Sequence, residues 1–69
     1  MSYDERIVKA LEELGIATTV EITRHIGGNE PSVNRALHSL AKFRMVTMLG
    51  VVKEDGLKGT PTRRWRLCA

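Results

Sequence analysis

Residues 18–42, "TTVEITRHIGGNEPSVNRALHSLAK", decide the fold. Thr18-Thr19-Val20-Glu21 fits a capping box, in which a Thr hydroxyl and a Glu carboxylate each satisfy a free N–H at a helix start. Val20, Ile22 and Ile26 follow, and Gly27-Gly28 stops the pattern, so the spacing predicts a short second helix. Asn29 is a good N-cap, and Pro31 is tolerated in a first turn because its missing N–H would be unpaired there. A third helix is predicted from Glu30 to Lys42 or Phe43. It carries Val33, Ala36, Leu37 and Leu40 on one face and Asn34, Arg35, His38 and Lys42 on another. Two helices joined by a tight glycine-containing turn make a helix-turn-helix.

The flanks complete the pattern. Upstream, Ser2-Tyr3-Asp4-Glu5 is another capping-box match. Ile7, Ala10, Leu11 and Leu14 recur at helical spacing until Gly15, which predicts a first helix over residues 3–14. Downstream the period changes. Met45–Leu49 and Val51-Val52 read as strand interrupted by Gly50, Glu54-Asp55-Gly56 is a turn signal, and Lys58–Pro61 continues the loop. Arg64-Trp65-Arg66-Leu67 alternates basic and apolar residues, as a half-buried strand does. The expected class is α+β: a winged helix-turn-helix of three helices plus a C-terminal β-hairpin wing, with Ile16-Ala17-Thr18 as a candidate short third strand. No repeat, low-complexity segment or linker divides the chain, and 69 residues make one domain, 1–69.

Composition narrows the function classes. No apolar run spans a bilayer and no secretory h-region follows Met1, so no membrane partner is expected. The single cysteine, Cys68, excludes a disulfide framework within the chain and points to an intracellular protein. Residues 1–34 hold three basic and six acidic side chains, a net of −3. Residues 35–69 hold eight basic and two acidic ones, a net of +6. Such polarity within one small domain points to a face that meets a polyanion.

Enzymatic chemistry has no foothold. His25 and His38 lack a Ser or Cys in a nucleophile arrangement, no His/Cys cluster has metal spacing, and Gly27-Gly28 lacks the GK[ST] end of a phosphate loop. No cofactor is implied. The polar stripe of the third helix is the stronger feature. Asn34, His38 and Lys42 are successive i, i+4 neighbours, and Arg35 flanks them, so their donors point one way. Arg35 can fork onto phosphate oxygens, and Lys42 offers a mobile charge. Every amphipathic helix has a wet face, so the stripe alone does not decide for binding. The wing adds to it, because Lys58, Thr60, Arg63 and Arg64 extend the same charge. Trp65, the only tryptophan, is on a strand, where such a ring is more often core than ligand contact; both roles hold if the ring packs inward while its N–H reaches the surface.

These residues carry a resemblance. "ATTVEITRHIGGNEPSVNRALHSLAK" followed by "GTPTRRW" resembles the Zα family of winged helices, whose deaminase member has "ATTA", an "LG" stop, "INRVLYSLAKKGK" and then "GTPPLW". Zα domains occur in the interferon-induced double-stranded-RNA adenosine deaminase, a Z-DNA-binding innate sensor, a fish protein kinase and viral interferon antagonists. The resemblance implies binding of left-handed Z-form double-stranded DNA or RNA, preferentially alternating purine-pyrimidine (CG) repeats, by monomeric domains, two per duplex. It also implies a place in the cytoplasm or nucleus of a host cell, in innate immune sensing or its viral antagonism. Asn34 and Arg35 then grip phosphates, and Lys42 adds a supporting phosphate contact. His38 takes the position of the aromatic residue that packs against a syn purine. Thr60 and Pro61 line the phosphate path, while Trp65 packs beside the helix aromatic and makes a water-mediated phosphate contact.

The departures are specific. His38 replaces a Tyr, and Thr62 or Arg63 stands where the family has its second wing proline. Glu30 and Pro31 stand where the deaminase has lysines. The wing between Lys42 and Thr60 is longer, and Lys53, Lys58 and Arg63 or Arg64 are expected to restore the lost charge. Two other classes fit the same pattern. A winged-helix transcription regulator would place the third helix in the B-DNA major groove and read sequence. A protein-interaction winged helix would bind with little salt dependence.

Overall fold

Local capping sets the helix boundaries. In the computed structural model, which describes residues 3–52 and 62–68, α1 spans Tyr3–Leu14, β1 Ile16–Thr18, α2 Thr19–Ile26, α3 Glu30–Lys42, β2 Val46–Val52 and β3 Thr62–Leu67. Thr18 closes the expected capping box: its hydroxyl accepts from the Glu21 N–H at 3.1 Å, and its own N–H donates to Glu21 Oε1 at 2.8 Å. Gly27 ends α2 with φ 68°, a left-handed conformation that glycine adopts without Cβ strain. Asn29 caps α3 by accepting from the Ser32 N–H at 3.2 Å. Ser2, Lys53, the Glu54–Gly56 turn and the Lys58–Pro61 loop lie outside the described residues, so Lys58, Thr60 and Pro61 have no structural description.

The described strands form one antiparallel sheet in the order β1-β3-β2. The short strand expected at Ile16–Thr18 is present and pairs Ala17 with Trp65. Three expectations about the strands change. Strand β3 begins at Thr62 rather than Arg64, because Thr62 and Arg63 pair with Val52 and Val51. Strand β2 begins at Val46 rather than Met45, because the Met45 N–H is engaged by the Leu40 carbonyl at 2.9 Å as the chain leaves α3. It also runs through Gly50 instead of breaking there. Met48 pairs with Trp65 and Gly50 with Arg64, leaving Leu49 as the extra residue of a bulge that Gly50 accommodates at φ 150°.

The core gathers one apolar stripe from each element. Ile7, Ala10 and Leu11 come from α1, Val20 and Ile22 from α2, Val33, Leu37 and Leu40 from α3, with Ala17, Val46 and Trp65 from the strands. Leu14 falls on the expected apolar face of α1 but is exposed, since it sits in the last turn. Trp65 is the largest fully buried side chain and lies on the central strand. Its indole N–H donates to Thr19 Oγ1 at 2.9 Å, and the Thr19 hydroxyl makes a longer 3.5 Å contact to the Arg63 carbonyl. A buried N–H needs such a partner, and Thr19 at the first residue of α2 supplies it.

Thr19→Val keeps the volume and removes the acceptor. Leaving the indole N–H unpaired is expected to destabilise the domain by about 1–3 kcal/mol in urea unfolding, while Thr19→Ser loses less. An unchanged midpoint for the valine variant would contradict the role given to this bond.

Candidate nucleic-acid interface

Helix α3 divides as its spacing predicts. Val33 and Leu37 are fully buried and Leu40 nearly so, whereas Arg35, His38 and Lys42 are exposed and Asn34 is half-buried. Packing one face of α3 into the core therefore presents the opposite stripe to solvent. The three exposed members form no ion pair among the described residues, where the salt bridge is His25 to Glu13 at 3.3 Å, between α1 and α2. Among the described residues no side chain holds their donors in an ion pair.

The centre of the stripe is braced from beneath. The His38 ring stands 5.5 Å from the Trp65 ring, centroid to centroid, at an interplanar angle of 89°. This edge-to-face contact suits the aromatic quadrupole and fixes the imidazole on a rigid base. The expectation that the Trp65 N–H reaches the surface is overturned. The side chain is 1% exposed and its donor is committed to Thr19. The reason is position, since the central strand turns Trp65 into the core and burial there demands an internal acceptor. Trp65 supports His38 and offers no donor of its own at the surface.

Asn34 is half-buried because it lines a narrow polar cleft with Thr19, Glu30, Thr62 and Arg63. The cleft joins the first turns of α3 to the start of β3 and so brings Arg63 to the stripe. Arg64 goes elsewhere, into a separate depression beside Leu49, Gly50 and Val51 on the β2 side of the sheet. Glu30 is one helical turn before Asn34, a relation visible in the sequence. No local signal in the sequence brings Thr19 and Thr62 together with them. Thr62 is 5% exposed, and its hydroxyl has no hydrogen-bond partner among the described residues.

A second charged depression lies between α1 and α2, lined by Arg6, Lys9, Glu13 and His25. A more apolar depression is lined by Asp4, Glu5, Val8, Leu40 and Met45, between α1 and the entry to β2. Among the described residues no group of three His, Cys, Asp or Glu side chains is placed to hold a metal ion, and no helix is long and apolar enough to cross a membrane. Comparison with protein-family models and with curated proteins finds no match to the chain.

If the stripe meets phosphates, each cation removed takes one counterion-release step with it. Arg35→Ala and Lys42→Ala are each expected to reduce the slope of log affinity against log salt by about 1 for a duplex ligand. Thermal midpoints should stay near that of the parent chain, since both side chains are exposed. An unaltered slope in both variants would remove α3 from the interface.

Proposed function

We propose that the chain is a winged helix-turn-helix domain of the Zα kind. On this reading it binds left-handed Z-form double-stranded DNA or RNA, with alternating CG repeats as the favoured sequence, and catalyses no reaction. The observation that carries this reading is the α3 stripe of Asn34, Arg35, His38 and Lys42, with His38 braced edge-on by the buried Trp65. The likeness of "NRALHSLAK" followed by "GTPTRRW" to the Zα pattern gives it the handedness of its ligand.

The mechanism is shape reading. Phosphate contacts position a protein on a duplex and carry no sequence information. Asn34, Arg35 and Lys42 lie along one side of one rigid helix, and Arg63 lines the same cleft as Asn34. Donors held at fixed spacing reward only the backbone geometry that matches them. The flat His38 ring adds a surface on which an exposed base can stack, a contact worth about 1–3 kcal/mol per base. Binding then shifts the duplex toward the left-handed form, and only by the difference in affinity for the two forms. Moving a population from 1:99 to 99:1 requires about a 10⁴-fold preference. Lys58, Thr60 and Pro61 of the wing belong to the same proposed interface. The biological setting that follows is inside a host cell, cytoplasm or nucleus, in innate immune sensing or its viral antagonism.

Circular dichroism of an alternating CG duplex tests this directly. Titration with the protein is expected to invert the long-wavelength bands, and Asn34→Ala to weaken that inversion. A right-handed spectrum that persists at saturating protein would favour a B-DNA regulator and overturn the proposal.

A further inference from the structure

The turn that leaves α3 keeps an arginine where glycine is the usual residue. The Arg44 N–H donates to the Ala41 carbonyl at 3.0 Å and the Met45 N–H to the Leu40 carbonyl at 2.9 Å, the paired bonds of a Schellman cap. The cap holds Arg44 at φ 62°, in the left-handed region. A Cβ there costs free energy that glycine avoids, so the cap alone gives no reason for an arginine. The residue before it is as unusual. Phe43 is 72% exposed, more than any other large apolar side chain among the described residues. The turn thus fixes an aromatic ring and a guanidinium next to each other in solvent, and Arg44 forms no ion pair among the described residues.

Beside this turn lies a depression of complementary chemistry. Val8, Leu40 and Met45 give it an apolar lining, and the exposed residues Asp4 and Glu5 complete it. The helix dipole accounts for two acids in the first turn of α1, but not for apolar side chains left open to water next to them. The depression measures about 300 Å³, larger than the roughly 150 Å³ cavity that takes up benzene, so a phenyl ring fits. Two carboxylates repel a phosphate backbone here and favour an apolar group that carries a cation beside it. Phe43 and Arg44 are such a pair, and in a single copy Phe43 does not fill the depression because its ring is in solvent. Leu40 and Met45 bracket Phe43 in the chain, so the ring and the depression are neighbours. Neighbouring knob and hollow on one surface are self-complementary across a two-fold axis, each copy giving one ring and receiving one. We propose that two copies of this chain form such a dimer, with Phe43 of each protomer seated in the acid-lined depression of its partner and Arg44 paired there with Asp4 or Glu5. This inference does not rest on the duplex reading above.

Sedimentation equilibrium of the full chain, free of nucleic acid, tests this. The mean mass is expected to climb from monomer towards dimer as the concentration is raised to about 1 mM. Phe43→Ser, at a position whose exposure leaves the fold intact, should weaken association by about tenfold or more. Arg44→Gly separates the two roles of that residue: it should raise the urea midpoint by relieving the left-handed strain and yet weaken the dimer. Charge exchange gives the sharpest readout. A chain with Asp4→Lys and Glu5→Lys, and another with Arg44→Glu, should each lose self-association. Mixed together they should dimerise again, because the exchanged charges once more face opposite signs across the two-fold axis. A parent chain that stays monomeric over this range would overturn the proposal, and so would a Phe43→Ser chain that associates as the parent does. Loss of CG-duplex affinity in the Phe43→Ser chain, with its mean mass unchanged, would assign the turn to a nucleic-acid surface and overturn the dimer as well.

Discussion

One bond between two buried side chains organises the molecule. Trp65 sits on the central strand, and its only polar hydrogen goes to Thr19 at the start of α2. Around that bond β1, β2 and β3 are in register, with Ala17 and Met48 both paired to Trp65. The same indole presents its ring to His38 on α3. The sheet, the second helix and the third helix are therefore fixed against one another at a single residue. The proposed binding surface, divided between α3 and the start of β3, would need such a fixture, because its donors come from separate elements and recognise shape only if their spacing is rigid.

The helices were readable because capping is local. Thr18 with Glu21, and Asn29 with Ser32, are partners three residues apart, and the structure realises both. The polar and apolar faces of α3 followed from the 3.6-residue period for the same reason. Tertiary contacts were less readable. The acceptor for the Trp65 N–H lies 46 residues away, and nothing near Trp65 in the sequence announces Thr19. Gly50 looked like a strand break, but pairing with β3 carries β2 through it as a bulge. Of the cleft, the Glu30 and Asn34 relation was legible and the Thr62 contribution was not. That Thr62 and Arg63 both line the cleft against α3 follows from a strand register that residue spacing alone leaves open.

The charge distribution fits the architecture. The acidic excess of residues 1–34 includes Asp4, Glu5, Glu12 and Glu13 on α1, while Arg35, Lys42 and Arg63 belong to α3 and β3. A domain with this asymmetry orients its basic face toward a polyanion before contact and keeps its acidic face away. Glu30 is the exception, an acid within the basic face. The helix dipole favours an acid at this first position of α3.

The central claim is that α3 and the start of β3 form one rigid docking surface for a left-handed duplex. Chemical-shift mapping of the labelled chain against an alternating CG duplex tests it most directly. The account predicts the largest shifts at Asn34, Arg35, His38, Lys42 and Arg63. The Trp65 indole N–H should move little, since its donor stays bound to Thr19, and the α1–α2 surface around Arg6, Lys9 and His25 should be silent. Shifts centred on that α1–α2 surface, with the α3 stripe unmoved, would contradict it.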